Sequence, residues 1–137
     1  MPIISVNFNK INVDRKDAPV GSISINNNVA LKDIEKIDLS AGATKQEGLK
    51  FKFELSAKYE PKFAEINILG DVIYLDASAK IKQILEGWGK NKNIPKEVFE
   101  QVMNAALTKS NIQALIISQI VNLPPPIQLP KLQVKKQ

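Results

Sequence analysis

Cysteine and histidine are both absent from the sequence, and their absence removes most of the chemistry available to small enzymes and metalloproteins. Without cysteine there is no disulfide, thiolate nucleophile, iron–sulfur cluster or Cys-type zinc site. Without histidine the chain lacks the commonest general base and the commonest transition-metal ligand. Only aspartate and glutamate oxygens remain as metal ligands, so we expect no metal site and no cofactor.

Sequence motifs that bind nucleotide phosphates are also missing. Neither G-x-G-x-x-G nor G-x-x-x-x-G-K-[ST] occurs in the chain. The segment 87–90 (GWGK) contains two glycines, but a helix end explains it better than a phosphate loop. Carboxylate pairs such as Asp71 with Asp76 fit surface charge and capping better than catalysis, which needs both groups in one pocket. We therefore predict that the chain is not an enzyme.

Long hydrophobic runs are absent too. The first ten residues lack the basic segment and apolar stretch of a signal peptide. The most apolar stretch, 112–123, is too short for a transmembrane helix and contains Gln113 and Gln119. We therefore expect a cytoplasmic protein. Its 137 residues, 44% of them hydrophobic, predict one globular domain with a modest core.

The first half of the chain has the alternating pattern of β-strands. Ile4, Val6 and Phe8 alternate with polar residues, which puts them on one face of a strand, and the phase slips by one before Ile11 and Val13. Such a slip predicts a bulge or a strong bend in the first strand. A second strand is expected from residue 22 onwards.

The third and fourth strands carry the strongest signal. From Leu49 to Tyr59 every second residue is apolar and the others are polar, which predicts an antiparallel strand with one wet face. The fourth strand, about 63–75, is apolar on both faces towards its end, and Gly70 predicts a bulge or bend there. Apolar residues on the second face imply either a partner surface or a cover formed by a loop or the C-terminal tail.

Helical spacing begins after residue 76. Asp76 or Ser78 is expected to cap a short helix whose apolar stripe runs from Ile81 to Trp88, with Gly89 at its C-terminus. A second helix begins at Pro95. Its expected inner stripes are Val98, Phe99, Val102, Met103, Ala106 and Leu107, followed by Ile112, Leu115, Ile116 and Ile120.

Two features near the C-terminus leave alternatives. The segment 110–113 (SNIQ) matches a capping box, yet no Gly or Pro interrupts the pattern, which favours one long helix from Pro95 to about Asn122. Three successive prolines in 123–130 then force an extended backbone. This run is either a ligand for an aromatic groove or an arm that packs along the body. The inward spacing of Leu123, Ile127 and Leu129 favours the arm.

The order of elements and several residues between 84 and 129 resemble the SecB family of export chaperones. That family has four antiparallel strands in Greek-key order, a long helix and a proline-containing tail. The residues that carry the resemblance are Trp88, Gly89, Ile94, Pro95, Val102, Ala106, Ile116 and the run Leu123-Pro124-Pro125-Pro126-Ile127-Gln128-Leu129-Pro130. The chain is therefore expected to be one SecB-like α+β domain over 1–137, with strands in 3–75, a short and a long helix in 78–122 and a tail in 123–137.

The resemblance implies an ATP-independent holdase that binds unfolded or apolar polypeptide segments as a homodimer or homotetramer. It implies subunit contacts through the long helix and through Ile11 and Val13. It also implies a groove between sheet and helix. Carried over by location, the groove residues are Phe63, Leu69, Ile73, Leu75, Trp88, Leu123, Ile127 and Leu129.

Net charge separates this chain from the acidic SecB proteins of the export pathway. It carries +5 at pH 7, from 19 basic and 14 acidic residues. This charge makes docking to an export motor doubtful. The alternative hypotheses are a basic accessory protein of a nucleic-acid assembly such as the ribosome, suggested by Lys50, Lys52 and Lys58, and an oligomer whose apolar face is consumed by self-association. Acidic neighbours of many basic residues favour an ordinary solvated surface.

Overall fold

A computed structural model describes residues 3–17, 21–38 and 46–127, in which four strands precede two helices. The elements are β1 (Ile3–Arg15), β2 (Ser24–Asp38), β3 (Glu47–Glu60), β4 (Ala64–Leu75), α1 (Ser78–Asn91) and α2 (Lys96–Ile120). The strands form one antiparallel sheet in the order β1-β4-β3-β2. This is a Greek key, because three hairpin-connected strands are flanked by β1 beside β4. The predicted fold class is confirmed.

Side-chain alternation in β3 and β4 determines which face of the sheet carries the core. The odd residues of β3 from Leu49 to Tyr59 are all buried, as predicted. They pair across the sheet with the even residues of β4, so Ile66, Ile68 and Val72 share their face. Both helices pack on this face, which we call the inner face; the opposite one is the outer face.

Strand β1 contains the predicted bulge and a second one that the sequence did not indicate. Its register with β4 shifts between Phe8 and Lys10, where the apolar phase slips. It also shifts between Ile3 and Ser5, so Ile4 falls out of phase with Phe8 and is 54% exposed. The prediction that Ile4 shares a face with Phe8 is therefore wrong, because an extra residue reverses the orientation of its neighbours.

Helix α1 ends differently from the prediction. Gly89 lies inside the helix, and Lys92 takes the left-handed conformation with φ of 57°. The N–H groups of Lys92 and Asn93 donate to the carbonyl oxygens of Trp88 and Gly87, both at 3.1 Å. A Cβ atom at Gly87 would collide with the Asn93 carbonyl oxygen. Gly87 therefore permits the close approach of the following chain, and the left-handed residue that ends the helix is Lys92 and not the predicted Gly89.

The start of α1 also departs from the expected cap. The residue before the helix is Ala77, which makes no side-chain capping bond. The prediction that Asp76 or Ser78 caps the helix is therefore wrong. The Asp76 carboxylate accepts hydrogen bonds from the Tyr74 hydroxyl at 2.7 Å and from the Ala77 N–H at 2.8 Å. These two bonds lower the pKa of Asp76.

Helix α2 is continuous through the possible break at Ser110, which confirms the favoured long helix. Its buried residues are Val98, Val102, Met103, Ala106, Ser110, Ala114, Ile117 and Ser118. Two core clusters lie beneath it, one under its first half and one under its second half. Ser110 is fully buried, and its hydroxyl has no hydrogen-bond partner in the described part of the chain.

We expect Ser110→Ala to raise the free energy of unfolding by about 1 kcal/mol, because it removes a buried hydroxyl that has no partner. Urea denaturation measures this change. Ser118→Ala is the matched control on the same helix, since the Ser118 hydroxyl is equally buried and donates to the Leu115 carbonyl at 2.7 Å. If the Ser110→Ala protein were no more stable than the Ser118→Ala protein, the conclusion that the Ser110 hydroxyl is buried without a partner would be wrong.

We expect Gly70→Ala to lower the free energy of unfolding by about 1–3 kcal/mol, because β1 and the Phe53 ring leave no space for a methyl group. A Cβ atom at Gly70 would meet the Asn7 carbonyl oxygen and would lie 2.8 Å from Phe53 Cζ. Gly89→Ala is the control, since nothing lies within 4 Å of its Cβ position. In a helix it should be neutral or stabilising by roughly 0.5–1 kcal/mol. Equal denaturation midpoints for Gly70→Ala and wild type would disprove the crowding argument.

Candidate binding cleft at the edge of β2

A cleft of about 490 Å³ lies where β2 meets the end of α1 and the start of α2. We call it the β2 cleft. It is lined by Val29, Ala30, Leu31, Lys32, Trp88, Lys92, Ile94 and Phe99. Val29 and Leu31 pair with Leu55 and Phe53, so the alternation of β2 points both side chains to the inner face.

Two aromatic side chains dominate the β2 cleft. Phe99, one turn into α2, is 43% exposed. Trp88 is partly buried, and its Nε1–H donates to Asp33 Oδ1 at 3.3 Å. The ammonium of Lys92 lies 4.7 Å from the centre of the Trp88 ring. The indole is therefore positioned from both sides, by a carboxylate on β2 and by a cation at the end of α1.

Asp33 follows the register shift of β2, which lies between Leu31 and Asp33, and it precedes the buried Ile34. Its Oδ1 accepts a hydrogen bond from the Ile34 N–H at 2.9 Å as well as the bond from Trp88. The Ile34 bond, followed by the Trp88 bond, lowers the pKa of Asp33. The carboxylate is thus ionised at neutral pH and engaged by its own chain.

The cleft adjoins an edge of the described sheet. Within the described sheet β2 pairs with β3 on one side, and its other side is an edge. Edge strands present N–H and C=O groups that an extended segment can pair with, while alternate side chains of that segment enter neighbouring pockets. The β2 cleft therefore combines an apolar surface with a backbone template.

A second cleft, of about 570 Å³, lies beside the turn between β3 and β4. Its charged residues are Arg15, Lys16, Lys58, Lys62, Asp14, Glu60 and Glu65, and its remaining lining is Tyr59, Phe63 and Ala64. The two signs are interspersed, and Lys58 pairs with Glu65 at 3.9 Å. Such a lining suits neither an apolar segment nor a strongly anionic ligand.

The predicted groove residues are divided between the two faces of the sheet. Trp88 lines the β2 cleft. Phe63 and Leu123 are buried in the second core cluster on the inner face. Leu69, Ile73 and Leu75 are half-buried on the outer face. Because both faces contribute, these residues do not form one groove.

The proline arm is described as far as Ile127, and Leu129 lies outside the described residues. Leu123 is buried, the Tyr59 hydroxyl donates to the Pro124 carbonyl at 2.5 Å, and the Asn27 amide donates to the Pro126 carbonyl. Burial raises the pKa of Tyr59 to about 12. The arm thus packs along the body as expected, on the inner face, whereas Leu69 lies on the other side of the sheet.

The outer face carries alternating charges. Lys52 pairs with Glu35 at 2.7 Å, and Lys32 pairs with Glu54 at 3.4 Å. With the pair between Lys58 and Glu65, two of the three lysines that suggested nucleic-acid binding have carboxylate partners. No specific feature of this face favours nucleic acid over protein.

The nearly buried Asp71 completes the outer face where β4 meets β1. Its carboxylate accepts hydrogen bonds from the side-chain amides of Asn7 at 3.2 Å and Asn9 at 2.9 Å. Asp71 thus links the two strands and does not pair with Asp76, which bonds to Tyr74. The two hydrogen bonds from Asn7 and Asn9 therefore account for the burial of the Asp71 carboxylate.

The predicted subunit contacts Ile11 and Val13 face inward on the edge strand β1. They pair with Ile68 and Ile66, and Ile11 remains 42% exposed. Val13 packs against the second core cluster. These side chains therefore occupy the uncovered margin of the inner face.

Helix α2 exposes an apolar stripe that the sequence placed on its inner side. Ile112, Ile116 and Ile120 are 58%, 46% and 74% exposed, at four-residue spacing. The residues turned to the sheet there are Ala114, Ile117 and two serines. The expected inner stripe is wrong for this half of the helix, because small residues allow the helix to approach the sheet closely.

No described helix is long and apolar enough to cross a membrane. The described residues contain no group of three or more acidic side chains that could hold a metal ion.

Comparisons with known proteins find a likeness to a solved structure. No family model matches the chain, and no curated protein matches it. A SecB-like chaperone of Mycobacterium tuberculosis, solved in complex with a ChAD peptide from the HigA1 antitoxin, has a similar overall arrangement. The match covers 98% of this chain and 91% of that one, at 10% sequence identity and a TM-score of 0.46. Values this low carry no inference about binding or assembly.

Proposed function

We propose that the chain is a non-catalytic, ATP-independent holdase of the cytoplasm that binds apolar segments of unfolded polypeptides in the β2 cleft. The observation that carries this proposal is the aromatic surface formed by the partly buried Trp88 and the exposed Phe99 beside an edge strand of the described sheet. The SecB-like order of strands, long helix and proline arm is consistent with such a role. The proposed binding site is thus the β2 cleft and not the groove that the resemblance implies.

The chemistry of the cleft suits clients that share no sequence. An extended segment pairs its backbone with the edge of β2, which requires no particular side chain. Its apolar side chains leave water on contact with Phe99 and Leu31, and this is a gain that every unfolded chain can supply. Binding needs no nucleotide, because each contact forms and breaks reversibly.

The size of the cleft limits how much of a client is bound. A volume of about 490 Å³ lies in the range of single small-ligand pockets. It therefore accommodates a few side chains and not a folded domain. Weak capture of short segments lets a client leave and fold.

We expect Phe99→Asp to weaken suppression of aggregation of an unfolded client, because it places a charge in the apolar cleft. Light scattering of the client at equimolar protein measures the loss. Phe99 is already 43% exposed, so the substitution leaves the core intact.

Leu75→Asp is the matched control, since Leu75 lies on the outer face and belonged to the previously expected groove. It should retain wild-type suppression at equal thermal stability. Loss of suppression in Leu75→Asp with full activity in Phe99→Asp would assign the site to the outer face. Failure of the wild-type protein to slow aggregation would remove the holdase proposal.

The exposed stripe of α2 is proposed as the surface that joins two copies in a homodimer or homotetramer. Helix α2, which carries the exposed Ile112, Ile116 and Ile120, contacts β1, the strand that carries the exposed Ile11. An apolar stripe of this kind can pack against its own copy in a symmetric contact.

We expect Ile116→Asp to reduce the molecular mass in solution, as measured by light scattering after gel filtration, because it puts like charges into a symmetric contact. Gln101→Asp, at an exposed polar position of α2, is the control and should not change the mass. A wild-type protein that is monomeric at high concentration would refute the assembly proposal and leave the peptide-binding proposal standing.

A further inference from the structure

We infer that the β2 cleft selects apolar segments that carry acidic side chains next to their apolar residues. This inference rests on the proposed peptide-binding function and specifies its client. Its basis is the charge of the side chains that line the cleft.

The lining of the β2 cleft contains two lysines and no carboxylate. Lys32 stands on β2 and Lys92 at the end of α1, so they approach the cleft from different elements. Lys32 pairs with Glu54, whereas Lys92 takes part in none of the ion pairs among the described residues. The rim therefore carries positive charge beside its apolar surface.

Lys92 is held in place. Its left-handed backbone is fixed by hydrogen bonds that end α1, and its ammonium lies 4.7 Å from the centre of the Trp88 ring. A client side chain that contacts Trp88 therefore meets this cation. Because neighbouring residues of a strand are about 3.3 Å apart, a carboxylate one or two positions away can reach it.

The carboxylates nearest the rim do not cancel this charge fully. Asp33 is engaged by the Ile34 N–H and the Trp88 indole. Lys32 pairs with Glu54 at 3.4 Å, but its side chain is 53% exposed, so that pair is solvated and weak. Glu100 on α2 pairs with Lys96 at 3.8 Å. A client carboxylate therefore competes with Glu54 for Lys32. At Lys92 it competes with the Asp33 carboxylate, whose charge interacts with the ammonium at longer range and forms no ion pair with it among those of the described residues.

The whole-chain charge acts in the same direction. A net charge of +5 attracts acidic segments over a distance of about one Debye length, roughly 8 Å at physiological ionic strength. This general attraction is not specific to the cleft. The rim lysines add the local preference, and the two contributions are separable by substitution.

The test uses three synthetic peptides that share one apolar core of valine and phenylalanine and differ in its flanks. The flanks are glutamate, glutamine or lysine. Trp88 is the only tryptophan in the chain and lines the cleft, so its emission reports binding of peptides that lack tryptophan. Calorimetry on the same samples provides a measurement independent of fluorescence.

We expect the glutamate peptide to bind the full chain about three- to tenfold more tightly than the glutamine peptide at low salt, and the lysine peptide more weakly. The difference should shrink as salt rises. Lys92→Gln and Lys32→Gln should reduce it, while Lys90→Gln, in the exposed last turn of α1, should not.

Equal affinities for the three peptides, or tighter binding of the lysine peptide, would overturn the acidic preference and leave peptide binding intact. A preference reduced as much by Lys90→Gln as by Lys92→Gln would also overturn it, because net charge would then be the cause. Absence of binding by all three peptides in both measurements would overturn the preference together with the proposed function.

Discussion

Burial of one face of the two central strands is the constraint on which the rest of the molecule depends. The odd residues of β3 and the even residues of β4 form a continuous apolar surface that must be covered. The strand alternation leaves no freedom in this choice, since a shift of one residue would expose the whole set. The two helices cover this surface, the arm follows them onto the same side, and the charged residues of β3 are left in water.

The way in which α2 covers this face explains where apolar surface remains. The second half of the helix turns Ser110, Ala114 and Ser118 to the sheet, so small side chains bring the helix backbone close. The larger residues Ile112 and Ile116 are then left outside. At the other end, Val98 is buried and its neighbour Phe99 remains at the edge of the β2 cleft. Both candidate interaction surfaces thus arise from a single long helix on a narrow sheet.

Much of the fold could be predicted from the sequence, because alternation in β3 and the phase slip in β1 are local patterns with one structural solution. The continuous α2 followed from the absence of Gly and Pro. The exposed side of α2 was not predictable in this way, since isoleucine is more apolar than serine and only the close helix–sheet contact reverses the expected order. Gly89 likewise lost its expected role because a lysine adopts the left-handed conformation.

Of the predicted groove residues, only Trp88 lines the candidate site. Its other aromatic residue, Phe99, was assigned to the core, because a helical pattern does not show how far a neighbouring element extends. Leu69 and Phe63 were grouped although they face opposite sides of the sheet, since the bend before β4 changes which residues share a face. Three-dimensional packing was needed to separate them.

The contacts of the proline arm have a consequence for the order in which the chain becomes complete during synthesis. The sheet can form once Leu75 has been made, but its inner face waits for α2, and the Tyr59 hydroxyl finds its acceptor only when Pro124 arrives. At a synthesis rate of about 5–20 residues per second, this interval lasts roughly 2–10 s. During it the nascent chain displays the kind of apolar strand surface that holdases bind. The Pro124 carbonyl supplies the acceptor that the Tyr59 hydroxyl lacks until then. Proline residues have no backbone N–H, so they cannot extend the sheet by donating hydrogen bonds to it.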